Sequence, residues 1–582
     1  MLLKENATDE RLRGSYYTPK ELADYIVDWA TLGRSINKIL EPSCGDGIFL
    51  ECINSRNLQY KCNIMAIEID KNASIKANEN INESNRFENY KYFIKKQKEA
   101  LENDKNLDVD YGFHIINDDF YKVYEERLKE QKFDVIVGNP PYIRYQYLTE
   151  LQREEQSRIL TNNNMKSNKL INAWVSFVVA CVQMLNSNGR LGLVIPAELL
   201  QVSYAEELRK FLMKSLQKTT IITFKELIFP EVEQEVVLLL GEKDTSHKEE
   251  HKLKILQYQN IEELIKKDNI NSFSFSDVEI NESKWTKYFL TDSEIRLINK
   301  IKKDKRFVKF NDVAKIEVGI TTGNNDYFCI NKLTAQKYDL ESVCRPLIAR
   351  SVNINGIIFN EEDWAWNIKN GAKTYLIDFP DSPYSTYPKK HKEYIEYGEY
   401  TNQNSGYKCR IRERWYRIPS IWSPDAFFLR RNHLYPKFVL NSNNVNAVST
   451  DTMHRIKFKN VEDKERILLS YYNSISLAFT EIEGRSYGGG VLEILPKEAG
   501  NIILPNLTLR EVIDDESVKK LVNKIDTHIR NNIDIKNILE EIDEYILIKI
   551  LGLTEEEVLK FKGIWLKLRE RRMLRGKKRN DK

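Results

Sequence analysis

The chain has little of what would place it in several large classes of protein. Its 582 residues include seven cysteines, and no two of them form a Cys-x-x-Cys pair. That spacing argues against a zinc module and against a disulfide scaffold, and it fits a reducing compartment. The seven histidines show no metal-ligand spacing, so no metal is expected. No apolar run is long enough to span a bilayer and no secretory signal is read at the start. A cytoplasmic protein without a membrane partner is therefore expected. A strong charge of one sign is missing too. Lys and Arg number 89 against 86 Asp and Glu, for a net charge of +3, so any nucleic-acid surface has to come from local clustering.

What is present is apolar content of 41%, enough for real cores, and a length that suits two or three domains. The most informative stretch is 134–142, Asp-Val-Ile-Val-Gly-Asn-Pro-Pro-Tyr. Phe133, Val135, Ile136 and Val137 read as a buried strand that Gly138 ends. Asn139 then offers a side-chain carbonyl. Pro140 offers a backbone carbonyl at fixed φ, from a residue with no N–H. Tyr142 adds an aromatic face. Two acceptors beside a ring suit an exocyclic NH2 on a planar group, such as adenine N6. Without the preceding Asn and strand, Pro-Pro-Tyr would read as an extended loop or a proline-motif ligand.

Three further strand ends carry polar tips. Residues 38–50 run from a short apolar strand through a Gly-rich turn, Gly45 and Gly47, into a helix start. Residues 63–70 form a second strand ending in acids, a common grip on ribose hydroxyls. A third strand, 113–116, runs into Asn117, Asp118, Asp119 and Phe120. In sequence order, these four ends describe one cofactor cleft. Cys44, in its first turn, reads as a small spacer rather than a nucleophile.

These residues resemble the S-adenosylmethionine-dependent, N6-adenine DNA methyltransferases of the gamma-class arrangement, found in Type II restriction-modification systems. Residues 14–19 (Gly-Ser-Tyr-Tyr-Thr-Pro) match the family's motif X and 40–47 its motif I. Glu68, Asp119-Phe120 and 139–142 match motifs II, III and IV. Residues 171–177, 189–196 and 229–232 with 236–240 resemble motifs V, VI and VIII. The motif match covers roughly 14–240, and 285–289 and 318–324 resemble the family's recognition domains more loosely. The resemblance implies an α/β fold. A Rossmann-like methyltransferase domain, with a mixed seven-stranded sheet whose last strand is antiparallel, precedes a mixed α+β DNA-recognition domain with a helical C-terminus. The expected domains are 1–280, 281–508 and 509–582.

The resemblance also assigns roles. Asn139, Pro140, Pro141, Tyr142 and Phe229 form the catalytic set, with Tyr142 stacking on an extruded adenine and Phe229 on its other side. Read without the family, Phe229 is a core aromatic. Thr18, Glu41, Ser43, Gly45, Gly47, Glu68, Ile69, Asp119, Phe120 and Asn139 surround the cofactor, S-adenosyl-L-methionine. Thr18 and Glu41 face its methionine end, Glu68 its ribose, Asp119 and Phe120 its adenine. Asp118 competes with Asp119 for the last role, and the Asp-Phe pattern favours Asp119. The function implied is site-specific methyl transfer to N6 of a flipped-out adenine in duplex DNA, protecting host DNA in a bacterial or archaeal cell. The cognate endonuclease would be a separate protein, and an orphan methylase stays open. RNA adenine-N6 methylation, protein-glutamine methylation and a DNA-binding protein with an inactive methyltransferase domain are the alternatives. Monomer and dimer stay open as well.

Elsewhere, local signals set narrower expectations. Thr18 reads as an N-cap with Pro19 at the first helical position of a helix over 20–32. Residues 80–110 read as a helical surface insertion. Residues 145–170 are polar and read as a lid that orders when DNA arrives, with an ordinary loop as the competing reading. Between 404 and 437, cations alternate with aromatics: Lys408, Arg410, Arg412, Arg414, Arg417, Arg430, Arg431 and Lys437, with Trp415 among the rings. Such alternation joins phosphate forks to apolar anchors, so DNA contact is expected there. Arg485, in the Gly-rich stretch 484–490, is a second candidate, with a flexible hairpin as the competing reading. Leu521, Ile525, Ile529, Ile538, Ile542 and Ile546 stand at helical spacing and are expected in the core. The basic tail 569–579 is expected to touch phosphates without sequence preference.

Overall fold

The computed structural model describes residues 17–84, 111–229, 235–244, 251–267, 276–277 and 284–574. The polar start, positions 14–16 of the first motif, most of the 80–110 insertion, 230–232 and the end of the basic tail lie outside the described residues. The chain divides into two compact units, one ending at Phe289 and the other beginning at Leu290. Among the described residues, no helix is long and apolar enough to cross a membrane.

The first unit is built on one sheet. Its strands are β1 (Lys38–Glu41), β2 (Asn63–Ile67), β3 (Gly112–Ile116), β4 (Phe133–Gly138), β5 (Leu185–Pro196), β6 (Lys218–Phe224), β7 (Val236–Glu242), β8 (Lys252–Tyr258) and β9 (Ser276–Asp277). Their order is 3-2-1-4-5-7-6-8-9. The first five in that order are parallel, and β7 runs antiparallel between β5 and β6. This is the Rossmann-like sheet expected, with nine strands among the described residues rather than seven. The additional strands β8 and β9 extend the β6 edge.

Helices cover both faces, as parallel strands require. They include α1 (Lys20–Thr31), α2 (Ile48–Asn54), α3 (Lys71–Ser84), α4 (Glu150–Asn162) and α5 (Ala173–Met184). The strands serve both cores by alternation: in β4, Val135 and Val137 enter one apolar cluster and Ile136 the other. Helix α1 adds Leu22, Ile26 and Val27 to the first cluster. Helix α5 fills the second and is buried at every position except Gln183.

Two local expectations need correcting. Pro19, not Thr18, occupies the cap position of α1, at φ −54° and ψ 139°, and no side chain caps that helix. Proline's locked φ and missing N–H let it start the helix unaided, which frees the Thr18 hydroxyl for another partner. Residues 145–170 are not an ordinary loop. They contain α4, whose Gln156, Ile159 and Leu160 are buried, and Ile159 and Leu160 belong to the α5 core. The stretch reads as polar because its buried stripe is narrow.

The chain order places a ligand site. After β3, at one edge, the chain crosses back to enter β4 beside β1. The β1–β4 boundary is thus where strand order reverses, and ligands of open α/β sheets sit beyond the carboxyl ends there.

The second unit is mixed α+β. Its five-stranded sheet runs in the order Ala314–Val318, Met453–Phe458, Ala426–Leu429, Phe438–Asn441, Ile358–Phe359, and a four-stranded sheet centres on Tyr375–Ile377 and Cys344–Ile348. Three helices close the described chain: α6 (Asp515–Arg530), α7 (Ile535–Ile542) and α8 (Glu555–Leu574). Leu521, Ile525, Ile529, Ile538, Ile542 and Ile546 are all buried, as their spacing predicts. Helix α8 is pinned by Arg572, whose Nη2 and Nε donate to the two carboxylate oxygens of Glu481 at 2.8 and 3.1 Å.

Candidate active site

A cavity of about 900 Å3 opens beyond the carboxyl ends of β1 to β4. Its wall carries six acids, Glu41, Asp46, Glu68, Asp70, Asp118 and Asp119, against two lysines, Lys71 and Lys76. The balance favours a cationic ligand. All four polar strand ends read from the sequence meet here, with Thr18, Glu41, Ser43, Gly45, Glu68, Ile69, Asp119, Phe120, Asn139 and Pro141 on the wall.

Glu41, at the end of β1, is 1% exposed. Its Oε2 is sealed from solvent and has no hydrogen-bond partner among the described residues. Burial pushes this carboxyl well above the usual carboxylate range, and the nearby Glu68 and Asp46 push it further. Glu68 is treated differently. Its Oε2 accepts from the Gly45 N–H and its Oε1 from the Asp70 N–H, both at 2.8 Å. Burial raises its carboxyl, and these two N–H groups oppose the rise. Each oxygen keeps a further lone pair for hydroxyl groups.

The two glycines of the first turn divide the work. Gly45 (φ +56°) borders the cavity. Gly47 (φ +91°) is not on its wall: a Cβ there would lie 3.0 Å from the Cβ of Ala77 on α3. Gly47 thus serves the packing of α2 on α3. Cys44 is buried beside them, and burial lifts its thiol far above the normal range, so it is an inert spacer.

On the opposite wall, Asp119 caps the short helix Phe120–Val123, its Oδ1 accepting from the Tyr121 N–H at 2.8 Å. Its Oδ2 accepts from Gln152 Nε2 at 2.6 Å. Asp118 pairs with Lys122 at 2.8 Å. Phe120 is stacked on Phe177, with centroids 4.2 Å apart, and both rings border the cavity. Phe177 was read only as the end of the stretch resembling motif V, with no role given to it, and Gln152 escaped the sequence reading. Gln152 had one legible signal, its place three residues after Thr149 in a capping box.

The loop after β4 is held from two sides. Asn139 Nδ2 donates to Thr18 Oγ1 at 3.3 Å, and the Asn139 carbonyl accepts from Ser43 Oγ at 3.2 Å. The first bond places the amide nitrogen toward Thr18 and turns the oxygen the other way. Pro140 is buried. Tyr142 does not line the cavity. Its hydroxyl donates to the Val194 carbonyl at 3.2 Å, and its ring packs on both cores. Phe229 is 7% exposed and lies in the same α1-side cluster that Tyr142 borders.

In the second unit, most of the cations singled out are already engaged. Arg412 donates to the Thr321 carbonyl at 3.0 Å. Arg414 and Arg417 share Asp381, at 2.8 and 2.7 Å. Trp415 donates to Glu399 and packs on Tyr327. Arg430 and Arg431 share Glu493, and Arg485 pairs with Glu498 at 2.6 Å. Arg485–Tyr487 pairs with Val491–Glu493, so the Gly-rich stretch forms a hairpin. Lys408 and Arg410 stand exposed, with no ion pair among the described residues, next to an exposed Tyr407.

Comparison with known proteins adds three facts. The family model described as Eco57I restriction-modification methylase matches residues 52–229, and the one described as the C-terminal domain of the Type II methyltransferase M.Eco57I matches 282–547. The Type II methyltransferase M.AccI of Acinetobacter calcoaceticus is 24% identical over 91% of this chain and 92% of its own length, and M.HindII of Haemophilus influenzae is 25% identical over 60% of each. A tRNA1(Val) (adenine(37)-N6)-methyltransferase of Haemophilus influenzae is 26% identical, over 29% of this chain and 57% of its own.

Proposed function

We propose, for a chain that belongs to the Eco57I restriction-modification methylases, that it transfers a methyl group from S-adenosylmethionine to N6 of an adenine flipped out of duplex DNA. One observation carries the reading. Asn139, held between Thr18 and Ser43, stands at the rim of an acid-walled cavity whose Glu41 is buried with a carboxylate oxygen unpartnered. Similarity to M.AccI along 91% of the chain, against 29% for the tRNA methyltransferase, favours DNA over RNA.

The residues present fit the cofactor. Glu41 would take its cationic amino group, since a buried carboxylate without a cation is otherwise costly. Glu68 would accept from the ribose hydroxyls, and Asp119 from the adenine amino group, beside the Phe120 ring. When bound, the cofactor supplies a methyl group made electrophilic by its sulfonium.

The chain supplies acceptors and position. The Asn139 side-chain oxygen and the Pro140 carbonyl accept from the two N6 hydrogens of the target base, drawing the nitrogen lone pair out of the ring. They also stabilise the positive charge that develops on N6. Thr18 and Ser43 fix Asn139 beforehand, so little reorganisation remains for the reaction. No basic side chain is needed, because the extra proton can leave after transfer. The base must be extruded from the duplex to reach Asn139, and Tyr142 offers it a stacking face worth about 1–3 kcal/mol.

Tritiated S-adenosylmethionine, duplex DNA and nucleoside analysis test the reading, with label expected in N6-methyladenine. Asn139→Ala should lower turnover by about 10²–10³-fold while cofactor affinity stays within a few-fold. Undiminished turnover in that variant would reject the mechanism, and label in RNA alone would reject the substrate.

A further inference from the structure

The carboxylate of Asp119 is shared between two elements. Oδ1 accepts from the backbone N–H groups of Tyr121 and Lys122, at 2.8 and 3.4 Å, within its own short helix. Oδ2 accepts from Gln152, on the first turn of α4, at 2.6 Å. The other end of the Gln152 amide is committed as well: Oε1 accepts from the Thr149 N–H at 3.0 Å, and Thr149 Oγ1 accepts from the Gln152 N–H at 3.2 Å. This capping box decides which way the amide faces. A carbonyl must meet the Thr149 N–H, so the NH2 must meet Asp119. Gln152 also borders the cavity, together with Tyr147, Leu148 and Thr149.

We infer that Gln152 is a positioning residue for cofactor recognition, holding Asp119 Oδ2 where it selects a purine with a 6-amino group over one with a 6-oxo group. The inference rests on the reading of the cavity as the S-adenosylmethionine site. The physical reason lies in the side chain of Asp119. Its terminal torsion is a soft one, and the N–H bonds to Oδ1 leave the carboxylate free to turn about that oxygen. The bond from Gln152 removes this freedom. A fixed acceptor rewards an N–H donor and repels a second acceptor, and that difference is what specificity consists of. Gln152 is itself fixed by the start of a helix that is docked on the α5 core. The purine end of the cavity is thereby tied to rigid structure and does not depend on a mobile loop.

The test is calorimetric binding of S-adenosylhomocysteine and its 6-oxo counterpart, S-inosylhomocysteine, to the full chain. Gln152→Glu is the informative variant. Glutamate serves a capping box as well as glutamine does, so the helix start survives while an acceptor replaces the donor facing Asp119. It should unfold within a few degrees of wild type. Its preference for the amino over the oxo ligand should shrink about tenfold, mostly through weaker binding of S-adenosylhomocysteine. Gln152→Ala, which removes the donor without adding charge, should shrink the preference less. An unchanged preference in Gln152→Glu overturns the inference. So does an equal weakening of both ligands in both variants, the result a merely structural glutamine would give. A wild-type chain that binds neither ligand removes the reading of the cavity and this inference together, whereas wild-type binding with an unaltered Gln152→Glu preference removes this inference alone.

Discussion

Glu41 in the first unit and Glu481 in the second are both buried acids, yet their surroundings are opposite. Glu481 receives a two-pronged grip from Arg572, whose side chain is as buried as its own. Among the described residues Glu41 has only other acids beside it, and burial first, then Glu68 and Asp46, raise its carboxyl. A buried charge that is matched is architecture: it ties α8 to the rest of its unit. A buried acid left unmatched destabilises the fold, and where it lines a cavity it marks a candidate ligand site. The cations of 404–437 teach the same lesson from the other side. There the sequence shows abundance, but Arg412, Arg414, Arg417, Arg430 and Arg431 already have partners, and Lys408 and Arg410 differ in standing exposed with no ion pair among the described residues.

The largest effect is expected from breaking the matched pair. Arg572→Ala leaves Glu481 buried without its cation and should destabilise the protein by about 3–5 kcal/mol, read from the denaturant midpoint. Replacing both residues together by Leu or Met of similar volume should lose much less. If Arg572→Ala were harmless, the contrast with Glu41 would collapse.

Glu41→Gln carries the reverse expectation. The raised carboxyl keeps its proton in the folded chain at pH values where the unfolded chain has released it. The ligand-free protein therefore loses stability as pH rises through that window. The glutamine variant should unfold at or above the wild-type temperature near neutral pH, with a flatter pH profile. It should also bind S-adenosylhomocysteine at least about tenfold more weakly, since a hydrogen bond to a charged group is lost. Reduced stability with undiminished affinity would mark Glu41 as structural.

The smallest effects separate exposed from engaged cations. Lys408→Ala with Arg410→Ala should reduce the salt dependence of DNA binding by about one to two phosphate contacts. Arg414→Ala should leave DNA affinity nearly unchanged and cost at most about 1 kcal/mol of stability, as exposed pairs do. The opposite pattern would mean that Asp381 yields its arginines to phosphate.

Much of the cavity wall was legible because strand-end chemistry follows chain order. Apolar runs announce β1 to β4, and the polar residue after each run must fall at the same edge of a parallel sheet. Glu41, Glu68, Asp119 and Asn139 could be placed that way. The place of Phe177 on the cavity was legible only through the resemblance of 171–177 to a family motif, since a ring on a helix buried all round gives no sign of which side meets a cavity. Gln152 was not legible, since its capping pattern is local while its bond to Asp119 spans 33 residues. The polar stretch around α4 misled for a related reason: a narrow buried stripe barely changes composition.

The sequence by itself determined the periodicities: which runs become strands, which helices bury a face, and which side chains close each strand. These depend on neighbours a few positions away, where chain geometry leaves few choices. Only the tertiary structure decided which charges find partners. It gave Arg572 to Glu481, Arg414 and Arg417 to Asp381, and Gln152 to Asp119, and among the described residues it left the Glu41 Oε2 without a partner. Charge pairing depends on distances between elements far apart in the chain, and a residue's type says nothing about what will lie across from it.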